Sequence, residues 1–336
     1  MERPSELPQR TANEGTPIRL GGWVSRLAGN RLLQRLGSIL LVTFGVMLIA
    51  FTLIRLIPGD PASILLGEGA STQDREAFRE LLGLKGSLVQ QLAAYVGGIL
   101  RGSLGTSVES RQPVTQFIAS RLPVTLSLIG VTISMALVLA VPIGILAAIY
   151  RRTWFGHLFR ITASALVATP TFFSAVVAIL LLAIHFNLAP VAGYRGNFPA
   201  NLRYLWLPAL VLCGVQVPVL ARVLQSSIVD TLEQEFVETA IVRGLPRRTY
   251  VWRYLLRPSL APTIALLGYI IGTLLGACVI IELIFNLPGI GTGLVQAVTN
   301  RDYPTVQGIV FVFGMIVVLV NTSSDLVSEW LDPRLR

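Results

Sequence analysis

Charge is scarce in this chain. Only 13% of its 336 residues are Asp, Glu, Lys or Arg, while 53% are hydrophobic, against about 25% charged in an ordinary soluble domain. Lysine occurs once, as Lys85 in Gly83-Leu84-Lys85-Gly86-Ser87. A phosphate-binding P-loop needs Gly-Lys-Ser/Thr with a further glycine upstream, so ATP binding by that device is excluded. The two histidines, His157 and His185, fall at opposite ends of the third helix region and have no partner at ligand spacing, so no metal site is expected. Cys213 and Cys278 sit inside separate apolar blocks and read as small, reduced, buried side chains rather than a disulfide. Gly-x-Ser-x-Gly and His-Glu-x-x-His are both missing, which removes the usual signatures of nucleophilic and zinc-dependent hydrolysis. Period-two alternation is missing too, which argues against a membrane β-barrel.

What the chain has in abundance is long apolar runs. Six blocks are long enough for a hydrocarbon core that needs about 20 residues of helix: Leu36 to Ile57, Val124 to Tyr150, Ile161 to Phe186, Leu205 to Leu224, Leu260 to Phe285 and Val306 to Ser323. The fold class is therefore all-α, a polytopic membrane protein with six transmembrane helices. The expected organisation is an N-terminal extension over 1–35, a transmembrane domain over 36–329 with a long loop at 58–121 and a loop at 226–258, and a tail at 330–336. The first 30 residues are polar and rich in Pro, Gly and Arg, so no cleavable signal peptide is expected there. Leu20 to Leu36 is compatible with an interfacial helix and equally with a disordered tail.

Arginine sets the orientation, because basic residues in short loops resist translocation. Loops 151–160 and 222–258 hold Arg151, Arg152, Arg160, Arg222, Arg243, Arg247, Arg248, Arg253 and Arg257, whereas loops 187–204 and 286–304 hold Arg195, Arg203 and Arg301. Both termini are accordingly expected in the cytoplasm, with loop 58–121 outside. The net charge of +9 is spread over several loops, which fits topology and attraction to anionic lipid better than nucleic-acid binding.

The loop between the fourth and fifth blocks is patterned. Phe236, Val237, Ala240 and Ile241 recur at helical spacing, Glu238 and Arg243 lie on other faces, and Gly244 with Pro246 ends the helix. A second amphipathic stretch, Tyr250 to Leu256, leads into the next block, giving an elbow on the membrane surface. Glu238-Thr239-Ala240 followed after three residues by Gly244 resembles the EAA signature of ABC-importer permeases. The wider pattern resembles the dipeptide/oligopeptide/nickel branch from Arg31 to Arg336. It is carried by Arg55-Leu56-Ile57-Pro58-Gly59-Asp60-Pro61, Gly102-Ser-Leu104-Gly105-Thr-Ser107, Pro113-Val114, Arg121-Leu122-Pro123, Glu282-Leu-Ile284-Phe285-Asn-Leu-Pro288-Gly289-Ile-Gly291, Arg301-Asp302-Tyr303-Pro304 and Asp332-Pro333-Arg334. Tyr254 stands where that family usually has histidine, and the extension before Arg31 is longer than the family norm.

The resemblance implies a permease subunit of the bacterial inner membrane that hydrolyses no ATP itself. Its implied partners are a second homologous permease, one or two ABC ATPases that bind ATP and magnesium, an extracytoplasmic solute-binding protein, and lipid. It implies no cofactor in this chain. Phe236, Glu238, Thr239, Ala240, Arg243 and Gly244 are the expected ATPase-coupling residues. The solute is a di- or oligopeptide in this reading; nickel or another small solute is the alternative, and an ion-coupled carrier the competing mechanism. Pro142, Pro170, Pro218 and Pro262 fall in apolar blocks as helix interruptions or packing kinks. Of these, Pro170 is a candidate for the solute path, and Glu282, near the end of the fifth block, a candidate gate or helix-end anchor. Asp325 and Glu329 share one face near the end of the sixth block and read as interfacial contacts.

Overall fold

Lipid offers backbone groups no hydrogen-bond partner, so an apolar run of this length must satisfy itself as helix. The computed structural model describes residues 31–53, 55, 66, 70–81, 83–195 and 199–331, and among them the regular elements are all helical. In chain order they are α1 (Arg31–Leu53), α2 (Thr72–Leu81), α3 (Leu88–Leu100), α4 (Val114–Ile149), α5 (Trp154–Ala168) and α6 (Thr171–Ala178), which runs on as a π-helical turn (Ile179–His185). Then come α7 (Leu202–Leu232), α8 (Glu235–Val242), α9 (Arg247–Ile284), α10 (Ile290–Thr299) and α11 (Tyr303–Leu331). The chain divides into Met1–Val42, of which the opening of α1 is described, and Thr43–Arg336, which contains α2 to α11 and the end of α1.

Among the described residues, α4, α7, α9 and the Tyr303–Ser324 part of α11 are each long and apolar enough to cross a membrane. The third expected span departs from a straight helix. α5 and α6 meet at 99° across Thr169 and Pro170, so they supply a fifth crossing only if the bent pair counts as one. The residue before a proline is pushed to extended backbone, and Thr169, at ψ 126°, adopts it. Pro142, Pro218 and Pro262, by contrast, lie inside continuous helices. The first expected span ends at Ile57, outside the described residues, and its described apolar part, Gly37–Thr52, is shorter than a full crossing. The N-terminal extension before Arg31, the motif from Leu56 to Pro61, the tail from Asp332 and the side chains of Asp325 and Glu329 also lie outside the described residues. The second span starts ten residues before its apolar block, at Val114, because Val114 and Ile118 are buried against Ile290 and Ile309.

Packing follows the rule for helices in lipid, where small residues let backbones approach. Along α4 the buried face carries Ala136, Ala140 and Gly144 at intervals of four, followed by Ala147, and α7 lies against α4. Leu128, Leu205, Leu212, Leu220, Leu274, Ile281 and Phe285 fill the core formed by α4, α7 and α9. α11 packs on α9, and the Gln307 amide donates to the Ala50 carbonyl at 2.9 Å, which ties the end of α1 to α11.

Candidate functional site

Two features occupy the two ends of α9. At its start lies the elbow. α8 buries Val237 and Ala240 against this chain and leaves Glu238, Thr239 and Arg243 exposed. Its C-terminus closes as a Schellman turn: the Leu245 N–H donates to the Ala240 carbonyl at 3.3 Å, and Gly244 takes φ +66°, the left-handed region a Cβ disfavours. The chain then re-enters helix at Arg247 and passes through a π-helical turn, Tyr250–Leu256, that packs against α8. Tyr254 sits within that turn. The base of the elbow is closed by Ser259, whose hydroxyl donates to the Thr231 hydroxyl at 3.0 Å. Leu255, Leu256 and Leu260 pack on Leu224, Ile228 and Ala148 there.

The six expected coupling residues therefore divide. Ala240 is buried and Phe236 half-buried. Glu238, Thr239, Arg243 and Gly244 face outward. The Ile241 side chain lies outside the described residues. Sequence reading missed Val242, 81% exposed on this surface; a valine continuing an apolar run gave no signal that it would face outward.

At the far end of α9, Glu282 is fully buried. The Thr125 hydroxyl of α4 donates to its Oε1 at 2.5 Å, and the Thr292 N–H of α10 donates to its Oε2 at 3.1 Å. Thr125 in turn accepts from the Ile290 N–H at 2.9 Å. One carboxylate thus joins α4, α9 and the start of α10. Glycine is required where the chain wraps this carboxylate: a Cβ on Gly289 would collide with the Glu282 carboxyl, and one on Gly291 would lie 2.6 Å from the Val279 Cα. Glu282 thus accepts hydrogen bonds from two other elements at the end of α9.

A second carboxylate clamps the other end of the same connection. Asp302 is buried and accepts from the Ser107 hydroxyl, from the Val108 N–H at 3.0 Å, and from the Thr305 hydroxyl at 2.7 Å. The segment from Gly102 to Ser107 is held by an antiparallel bridge between Thr106 and Pro113. Arg121 stacks over Phe117 at 4.5 Å and donates to the Gln296 amide at 3.3 Å. Five stretches separated in sequence, around 102–107, 113–114, 121–125, 282–291 and 301–305, therefore meet in one place. Pro170, the remaining path candidate, caps α6 at the bend, far from both carboxylates in the chain.

A bundle of membrane-length apolar helices, with one amphipathic elbow and the connection at the opposite end of α9 tied down, is the architecture of a multi-pass membrane protein. The chain belongs to the binding-protein-dependent transport system inner membrane component family: residues 140–336 match that family's model, and residues 30–129 match the model of its N-terminal region. It is 35% identical over 328 residues to the probable D,D-dipeptide transport system permease protein DdpB of Escherichia coli (strain K12), covering 90% of this chain and 96% of that protein. It is also 35% identical over 308 residues to a putative peptide transport system permease protein of Brucella abortus (strain 2308), covering 91% and 98%. To the dipeptide transport system permease protein DppB of E. coli K12 it is 32% identical over 336 residues, again covering 91% and 98%. Among solved structures, an amino acid ABC transporter with histidines is similar at a TM-score of 0.46 and 14% identity, covering 64% of this chain and 94% of that one.

Proposed function

We propose that this chain is the membrane permease subunit of an ATP-driven importer of di- and oligopeptides. The observation that carries the reading is full-length similarity to permeases named for dipeptide and peptide transport. The elbow supports it from the structure: a short amphipathic helix with an exposed Glu238, Thr239, Val242 and Arg243 is shaped to dock on another protein. In this reading the chain pairs with a second, homologous permease, each elbow engages one ATPase subunit, and an extracytoplasmic binding protein delivers the peptide. ATP and magnesium are held by the ATPases, and this chain has no cofactor of its own. Loops rich in arginine face the cytoplasm together with both termini, with six crossings in all.

The test is reconstitution in lipid vesicles. ATP-dependent uptake of a labelled dipeptide is expected from the assembled complex of both permeases, the ATPases and the binding protein, and none from this chain alone. Uptake by the isolated chain, driven by an ion gradient, would replace the importer by a secondary carrier. Orientation is read separately in whole cells. A cysteine at Thr249 is expected to react with a membrane-impermeant thiol reagent only after the cytoplasmic side is opened; labelling of intact cells at that position would invert the topology.

A further inference from the structure

Midway along the helices, α6, α7 and α9 leave a cleft of about 240 Å³ lined by Thr171, Leu212, Gln216, Tyr269, Thr273 and their apolar neighbours. Gln216 lies near the middle of α7, and Tyr269 and Thr273 lie near the middle of the Arg257–Ile284 stretch of α9. Thr171 opens α6 at the 99° bend. The three elements therefore bring polar groups to one depth, well inside the apolar spans.

Gln216 is only 7% exposed, yet its carboxamide has no hydrogen-bond partner among the described residues, and it lines the cleft. The side chain is buried, but its amide atoms are not sealed and open onto the cleft, where lipid supplies no hydrogen-bond partner. Tyr269 is 66% exposed, and its hydroxyl is likewise unpaired among the described residues. The start of α6 has no side-chain cap, so its first N–H groups are open donors at the positive end of a helix. A half-helix that begins inside a membrane, beside polar side chains on neighbouring helices, is the arrangement transporters use to hold a solute. No charged residue lines the cleft.

We infer that this cleft is one wall of a seat for the backbone of a peptide in transit, an inference that rests on the peptide-importer reading. A carboxamide offers two N–H donors and one acceptor, which matches both halves of a peptide bond. The opening N–H groups of α6 receive a backbone carbonyl or the terminal carboxylate. With no charged wall, the seat reads what all peptides share and ignores their side chains. Its volume falls below the roughly 300–1,000 Å³ of a complete small-molecule site, which fits a seat that a second permease closes.

The experiment compares uptake of dialanine with its analogue methylated at the peptide nitrogen, using the complete complex and one binding protein throughout. Any change in the ratio between variants then belongs to the permease. The wild type is expected to favour dialanine. In Gln216→Leu the preference falls about fivefold to tenfold, the worth of one neutral hydrogen bond, while loaded binding protein still stimulates ATP turnover; Gln216→Asn retains part of the preference. Should Gln216→Leu fail to assemble, Tyr269→Phe at its exposed position carries the same comparison, with reduced dialanine uptake expected. A wild-type ratio of one, or wild-type ratios and rates in the variants that assemble, overturns the seat while peptide import stands. A wild-type complex that takes up neither dipeptide overturns the peptide reading and the seat together.

Discussion

Gly244→Asp is expected to cut ATP-driven uptake more than tenfold while leaving the protein inserted in the membrane. Space is not the obstacle, since nothing lies within 4 Å of a Cβ built at this position. The obstacle is twofold. At φ +66° a side chain costs up to about 1–2 kcal/mol of backbone strain, the full amount for an alanine and less for an aspartate, which works against the Leu245 to Ala240 bond that closes the turn. The added carboxylate also changes the charge of the exposed surface that carries Glu238 and Arg243, where a mismatched charge costs several kcal/mol in a protein interface. Gly244→Ala separates the two effects, because it imposes the strain without the charge and should retain part of the activity. Together they predict more than a tenfold loss of uptake in the aspartate variant. Normal uptake in Gly244→Asp vesicles, with ATPase stimulation by loaded binding protein equal to wild type, would demote the elbow to a linker.

Glu282→Ala is expected to destabilise the protein more than any single change at the elbow. Removing the carboxylate strands the Thr125 hydroxyl in a fully buried setting and the Thr292 N–H in a half-buried one, and each stranded donor costs about 1–3 kcal/mol. The expected loss is thus about 2–6 kcal/mol, read as a fall of several degrees in the unfolding midpoint of detergent-purified protein. Glu282→Gln keeps one acceptor oxygen and should recover part of the loss. An alanine variant that melts with the wild type would mean that the connection around α10 is not held by this carboxylate.

Much of the fold was legible because lipid imposes a simple rule on long apolar runs. The blocks at 124–150, 205–224, 260–285 and 306–323 each fall on one helix, and the first of these helices begins ten residues early because Val114 and Ile118 are buried against Ile290 and Ile309. The bend at Pro170 was not legible. Four prolines lie in apolar blocks of similar composition, and only at Thr169 does the preceding residue leave the helix. Helix packing around the break decides that, and a single sequence does not record it.

The site shows the same division. Gly244 could be assigned a left-handed turn from its place between an amphipathic helix and Pro246. Glu282 stood out as an ionisable group in an apolar block, but its partner Thr125 lies 157 residues away, and nothing local announces such a pair. Gln216 escaped notice because a search for ionisable groups passes over a neutral amide, although an unpaired amide inside a span carries a similar message.

α9 runs from Arg247, beside the elbow, to Ile284, beside the Glu282 clamp, over 38 residues. At helical rise that is a rod of roughly 55 Å, so pivoting it by about 5° at the elbow swings the clamped end sideways by about 5 Å. Its far end does not swing freely, because the connection to α11 is pinned at Glu282 and again at Asp302. A pivot of that size at the elbow would therefore be passed on to α4 and α11 as a displacement about the size of one amino-acid side chain.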